Sequence, residues 1–228
     1  MITTDWNYLY KIDYFDRTEC TTNLLYTPRI NPERNVLCMT YDETEKYQKS
    51  STGLTKDLVN FFFERELRYL EIFQDRTWAP KILEVDKETR SVFIEFSNET
   101  FNHIIMNPSR NLDEECPDWK EQIWNIIKDI DSSGYYKLAL YPHCFFLDSN
   151  KQVKTIDFYS IIEKNNCMLE RSKIEGMIGK DSTGRFDDST IDGMVDFSVF
   201  FKKTMMVHLD KRWPDNPFPK FYLDLDNG

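Results

Sequence analysis

Residues 137–159, KLALYPHCFFLDSNKQVKTIDFY, decide the fold. Two short β-type runs, 144–147 and 153–156, are separated by the polar turn residues DSNK at 148–151. Apolar runs of this length on either side of a short polar turn are typical of a β-hairpin. The second run leads directly into Asp157. The stretch therefore predicts a small hairpin with a carboxylate at its end.

Two helices are predicted on the N-terminal side of this hairpin. The first carries apolar residues at a period near 3.6, with Asp57 as its N-cap and an end before Pro80; these residues are Leu58, Phe62, Leu67, Leu70 and Phe73. The second has Pro117 in its first turn and ends near Gly134. Its apolar face comprises Trp119, Ile123, Ile126, Ile127 and Ile130. A last helix is predicted over about 192–209.

The remaining segments predict strands and connectors. Residues 35–41 form a β-rich run, and 81–85 with 91–96 form a hairpin around the charged turn 86–89. A short apolar run at 23–26 is closed by Pro28 and Pro32. Residues 43–57 are predicted as a loop or a loosely held helix, 97–117 as a proline-containing connector, and 160–191 as a polar, irregular segment. This order of elements predicts a mixed α+β protein in two layers.

Composition restricts the class of protein. Lys and Arg number 29 against 39 Asp and Glu, a formal charge of −10, so we expect no nucleic-acid partner. Five cysteines without a Cys-x-x-Cys pair suggest neither a disulfide framework nor a structural zinc site. The first ten residues lack the apolar core of a signal peptide, and no apolar run approaches the ~20 residues that span a bilayer. We therefore expect a reduced, cytoplasmic protein without membrane contact.

Residues 137–159 resemble the catalytic core of the protein-kinase-like superfamily, including its aminoglycoside and choline kinase branch. The apolar frame of the catalytic loop is matched by Leu140, Pro142, Phe145, Phe146, Leu147 and Asp148. Residues 153–158 resemble the strand that enters the metal-binding Asp-Phe-Gly motif, and the spacing from Cys144 to Asp157 suits the family. Weaker similarity extends over about 35–205. The resemblance implies a two-lobed fold, with a small β-rich N-lobe over 1–96 and a mainly helical C-lobe over 97–228.

The resemblance also implies roles for individual residues. Glu66 would be the helix glutamate that pairs with an ATP-positioning lysine, Glu95 would lie at the nucleotide-binding hinge, and Asp157 would hold a metal ion. Residues 195–198 resemble the start of a large C-lobe helix, in which Asp196 would hold the catalytic loop.

Most of the polar parts needed for phosphoryl transfer are replaced. Lys137 stands where the family has His or Tyr, Ala139 where it has the catalytic Asp, and Cys144 where it has the metal-binding Asn. The strand at 35–41 contains no lysine, and Cys38 or Met39 falls at the lysine position. No glycine precedes Gly53, and Tyr159 replaces the glycine of Asp-Phe-Gly.

Three functions fit these residues. The leading hypothesis is a pseudokinase, a catalytically impaired kinase-like module that binds another protein and needs no cofactor. The second is an active atypical phosphotransferase that uses ATP and Mg²⁺ held by Asp157, with a lysine recruited from Lys46, Lys49 or Lys154. The third is a structural subunit of a larger assembly, such as a viral one.

Each candidate residue also has a structural interpretation. Asp157 can cap the backbone, and Glu66 in such a place is more often simply solvated. We expect His143 to be a surface or hydrogen-bonded residue and Cys144 a small core residue rather than a nucleophile. Residues 61–63 and Tyr69 are expected in the core. The tail at 213–219 would dock on its own C-lobe or on a partner, and an activation segment would carry Ser182, Thr183, Ser189 and Thr190.

Overall fold

The computed structural model describes residues 10–11, 27–41, 56–97, 99–137 and 140–164. Within them it contains both helices and strands, so the mixed α+β class is confirmed. The predicted run at 23–26, the helix at 192–209 and the tail at 213–219 lie outside the described residues. Where the chain is described, no helix combines the length and the apolar composition that a bilayer crossing requires.

Five strands form an antiparallel sheet in the order β1-β2-β3-β5-β4. They are β1 (Tyr10–Lys11), β2 (Thr27–Asn31), β3 (Val36–Thr40), β4 (Ile82–Asp86) and β5 (Ser91–Glu95). The predicted strand at 35–41 and the hairpin of β4 and β5 are confirmed. Pro32 directly follows the last residue of β2, whereas Pro28 lies inside that strand and does not end it. Pro28 pairs with β3, whereas β1 pairs only with Arg29 and Ile30, so no β1 ladder bond requires a proline N–H.

The two faces of β3 are buried in different clusters. Leu37 and Met39 belong to the main core, and Tyr41 follows them on the same face. Val36 and Cys38 face the other side, where they form a small cluster with Phe93. This alternation follows from the two-residue period of a strand.

The long helix α1 spans Lys56–Phe73. Its buried face includes Phe62, Glu66, Tyr69, Leu70 and Phe73, residues three or four positions apart. The predicted end before Pro80 is confirmed. The predicted N-cap is wrong, since Asp57 lies within the first turn of a helix that begins at Lys56.

Helix α4 spans Trp119–Ser132, and the five apolar residues predicted for its inner face are all buried. Pro117 precedes the N-cap Asp118 instead of lying in the first turn. The segment 97–117 is not a plain connector, because it contains α2 (Phe101–Ile105) and α3 (Leu112–Glu115). A capping box of Thr100 and His103 starts α2, and the Asn111 side chain accepts the Asp113 N–H at the start of α3.

Two further antiparallel pairs complete the described structure. The predicted short hairpin is confirmed as β7 (Phe145–Leu147) and β8 (Val153–Thr155). Strand β6 (Tyr135–Lys137) pairs with β9 (Ile161–Glu163), so the prediction of irregular structure from residue 160 onward is wrong for β9. The isoleucines Ile161 and Ile162 bury their side chains there. Two 3-10 turns, Pro142–Cys144 and Phe158–Ser160, precede β7 and β9.

One buried apolar cluster includes residues from Ile30 to Ile162. As predicted, Phe62, Phe63 and Tyr69 are buried, and Phe61 packs against the cluster. Arg65 of α1 is also buried, and it donates from Nε to the Tyr159 carbonyl at 3.0 Å and from Nη2 to the Ile161 carbonyl. Helix α1 is therefore fixed to the chain that follows β8. The division into lobes at residue 96 remains a prediction.

Candidate functional site

Asp157 lies at the centre of a buried polar cluster. It follows β8 with φ 64° and ψ 51°, in the left-handed region that Asp tolerates better than most residues. Asp157 is fully buried, with 0% of its surface exposed. The Ser160 N–H and hydroxyl both donate to the Asp157 carbonyl, at 3.2 and 2.7 Å, and thereby close the 3-10 turn.

Cys144 contacts the Asp157 carboxylate directly. The thiol donates to Oδ2 with an Sγ–Oδ2 distance of 2.9 Å. The Cys144 carbonyl accepts the Ile156 N–H at 2.8 Å and the Thr155 hydroxyl at 2.9 Å, which fixes the two chain segments. Burial, followed by the charge of Asp157, raises the pKa of the Cys144 thiol well above its usual range. Cys144 is therefore a neutral core residue, as predicted, and lacks the thiolate character of a nucleophile.

Lys137 binds the backbone of the same cluster. Its ammonium group is buried and donates to the carbonyls of Ile156 and Asp157, at 2.6 and 2.9 Å, and to the Ser160 hydroxyl at 3.4 Å. Burial lowers the pKa of Lys137. The sequence assigned Lys137 only as a replaced catalytic-loop position. The structure makes it the cation that holds the turn after β8.

Glu66 reaches this cluster from α1. It is 0% exposed, and its Oε2 accepts the Tyr159 N–H at 2.7 Å. Its Oε1 has no hydrogen-bond partner among the described residues. Burial, and then the charge of Asp157, raises the pKa of Glu66 to about 7. The solvated interpretation is wrong, because Glu66 lies four residues after Phe62 and four before Leu70 on the inner face of the helix.

Tyr41 lies close to both carboxyl groups. It is fully buried, and its pKa is raised well above the usual value by burial and then by the charges of Glu66 and Asp157. Sequence reasoning missed Tyr41, which continues the core face of Leu37 and Met39 at the two-residue period. In the family comparison a lysine was sought at Cys38 or Met39, and the residue found near Glu66 is this phenol.

His143 also belongs to the cluster and not to the surface. It is 4% exposed and stacks on Tyr141 with ring centroids 5.2 Å apart. Burial lowers the pKa of His143 to about 4, so the imidazole is neutral near pH 7. The potential ligand atoms of His143, Cys144 and Asp157 all lie within 4.8 Å of one another.

Other predicted residues lie elsewhere. Glu95 is half-buried at the end of β5, where its N–H donates to the Lys81 carbonyl at 2.9 Å, and its nucleotide role remains a prediction. Lys154 donates to the carbonyls of Thr77 and Ala79, at 3.0 and 3.3 Å, and so is directed away from Asp157. Several predicted positions lie outside the described residues: Ala139, Lys46, Lys49, Ser182, Thr183, Ser189, Thr190 and Asp196.

No family model and no curated protein matches the chain. Among solved structures, monomeric WbdD is similar at 12% identity and a TM-score of 0.47, over 80% of this chain and 46% of that chain. WbdD described as a bifunctional kinase-methyltransferase is similar at 13% identity and a TM-score of 0.43, over 79% and 43%. This chain thus spans less than half of the WbdD chains that it matches. The functional conclusions therefore rest on contacts within the chain.

Proposed function

We propose that this protein is a pseudokinase, a two-lobed kinase-like module that has lost phosphotransfer and serves to bind another protein. The observation that supports this most is the state of the Asp157 carboxylate. It is buried, and its Oδ2 accepts the Cys144 thiol at 2.9 Å. A kinase needs this carboxylate to hold Mg²⁺ against the phosphates of ATP.

The groups around Asp157 support the same proposal. Mg²⁺ prefers oxygen ligands, so a thiol at position 144 is a poor partner for it. The buried Lys137 ammonium occupies the backbone carbonyls of Ile156 and Asp157 instead of a phosphate. The carboxylate of Glu66 accepts the Tyr159 N–H, and Tyr41 lies near it from β3. The polar side chains of Lys137 and Glu66 therefore form hydrogen bonds with the backbone of this protein and not with a nucleotide.

The active phosphotransferase is the rival that the same site tests. Of its three candidate lysines, only Lys154 is described, and its ammonium group binds the carbonyls of Thr77 and Ala79. The Lys154 ammonium is thus engaged with the protein backbone. Stabilisation of the fold by ATP and Mg²⁺ is the result that would favour the active phosphotransferase.

Thermal unfolding with and without ATP and Mg²⁺ tests the proposal. A ligand at a hundred times its Kd would stabilise the fold by about 2.7 kcal/mol, or about 5–10 °C in Tm for a chain of this size. We expect no such shift for the wild-type protein. Asp157→Asn is the diagnostic variant, because Asn tolerates the left-handed backbone and can still accept the Cys144 thiol.

The exposed Asp75 provides a matched control, Asp75→Asn. A rise of several degrees with ATP and Mg²⁺ that survives Asp75→Asn and disappears in Asp157→Asn would overturn the proposal. Protein binding is tested separately by cross-linking the full chain in its native extract and identifying the attached proteins by mass spectrometry. The interaction role is contradicted if the full chain forms no specific cross-link to another protein in this extract.

A further inference from the structure

His143, Cys144 and Asp157 present three different kinds of metal ligand in one buried place. The imidazole nitrogen, the thiol sulfur and the carboxylate oxygen lie within 4.8 Å of one another. Their residues are 4%, 0% and 0% exposed. A nitrogen, sulfur and oxygen set of this kind is typical of zinc and unusual for magnesium.

The backbone around these residues is already fixed. Pro142–Cys144 forms a 3-10 turn that supplies two of the ligands from adjacent positions. The Cys144 carbonyl is held by the Ile156 N–H and the Thr155 hydroxyl, so the third ligand, Asp157, follows at a set distance.

We propose that His143, Cys144 and Asp157 form a zinc-type site that binds a divalent transition metal ion. Ligand bonds of about 2.0–2.3 Å at tetrahedral angles place ligand atoms about 3.5 Å apart. The sulfur and Oδ2, now 2.9 Å apart, have to separate by about 0.6 Å, and the other pairs of ligand atoms already lie within 4.8 Å. The three side chains supply three of the four ligands of a tetrahedral zinc-type ion.

The charges balance in the bound state. Metal binding replaces the proton of the Cys144 thiol, which leaves to solvent, and the resulting thiolate and the Asp157 carboxylate bear two negative charges. No zinc motif indicated this site, because the ligands are not arranged as Cys-x-x-Cys but are brought together by the β7–β8 hairpin.

Metal analysis of the full chain, purified without chelators and then titrated with Zn²⁺ or Co²⁺, tests the site. We expect one equivalent of bound metal and, with Co²⁺, the absorption of a cobalt–thiolate bond. Since losing an outer-shell contact costs 10–100-fold in affinity, losing a direct ligand in Cys144→Ser or His143→Gln should raise Kd by about a hundredfold or more. Cys38→Ser, a buried cysteine outside the cluster, should retain the metal and the absorption.

The result that overturns the site is a folded wild-type protein that binds neither ion, or binding that Cys144→Ser leaves unchanged. If the Cys144 and His143 variants do not fold, the Cys38→Ser protein decides alone. One equivalent of Co²⁺ with a thiolate absorption in that protein, together with slower alkylation of Cys144 with the metal than without it, supports the site. The site is refuted if the cobalt–thiolate absorption is absent, or if the alkylating reagent reacts with Cys144 equally fast with and without the metal. These readouts need no ATP and are independent of the pseudokinase test.

Discussion

Replacing Glu66 by Gln should stabilise the protein at high pH and much less at low pH. The Glu66 side chain is fully buried, and its pKa is raised from 4.5 to about 7 by burial and by Asp157. The unfolded chain therefore releases this proton at a lower pH than the folded chain does. Stability contributed by the protonated carboxyl is present below pH 4.5 and is lost as the pH rises toward 7.

A shift of this size corresponds to about 3 kcal/mol at pH 8 and about 1 kcal/mol at pH 5. Glu66→Gln removes the titration and retains an oxygen that accepts the Tyr159 N–H. At pH 8 we expect a free energy of unfolding higher by about 3 kcal/mol and a Tm higher by about 6–12 °C.

Urea unfolding, followed by tryptophan fluorescence at pH 5, 6, 7 and 8, measures this difference. Glu64→Gln is the matched control, because Glu64 lies on the exposed side of the same helix and loses the same charge. A gain that does not grow with pH would refute the reasoning. A loss of stability at pH 8 in the Glu66 variant would show that a cation holds Glu66 ionised.

Three further variants test the described contacts. Arg65→Lys should cost about 2 kcal/mol or more in unfolding free energy, because a shorter side chain with a single nitrogen does not reproduce the separate Nε and Nη2 donors that reach the Tyr159 and Ile161 carbonyls. The exposed Arg68→Lys is the control, and equal effects of the two variants would show that these two hydrogen bonds do not stabilise the fold. Phe158→Ala should lower the free energy of unfolding by about 3–5 kcal/mol, since Phe158 is buried and stacks on Trp78 with ring centroids 6.0 Å apart. The control is Ile72→Ala, because Ile72 is 43% exposed. An equally small loss in both variants would show that the structure around position 158 relaxes without leaving a cavity. Burial lowers the pKa of His103 to about 4, so acid favours the unfolded chain, in which the imidazole is protonated more readily. His103→Gln should keep the capping box and reduce the loss of stability between pH 6.5 and 4 by about 1–2 kcal/mol. Stability curves of the variant and the wild type that stay parallel down to pH 4 would contradict this prediction.

Periodic apolar patterns predicted the elements well. The five inward residues of α4 recur at helical spacing, and all are buried. The β4–β5 and β7–β8 hairpins follow from apolar runs on either side of polar turns. Local features were harder. The helices in 97–117 are four and five residues long, too short for a period to appear, and β9 has only three residues.

The site was predictable only in part. The spacing from Cys144 to Asp157 suited the two metal-binding positions of the family that residues 137–159 resemble, and the structure joins the two residues by a hydrogen bond. Spacing did not indicate that Lys137 donates to two carbonyls nineteen and twenty residues away, or that Arg65 does so across more than ninety. Side-chain bonds to backbone leave no repeating pattern in the sequence, because the partner carbonyl exists at every position.

Local periodicity and turn composition act within one element, so they were sufficient to predict the α+β class, the inner faces of α1 and α4 and the two hairpins. Tertiary structure alone decided the protonation and pairing of the central groups. It buried Glu66, His143 and Lys137 around Asp157, and burial sets their charge because a low-dielectric interior penalises ions that lack a partner. That property depends on which chains surround a residue and cannot be read from the residue itself.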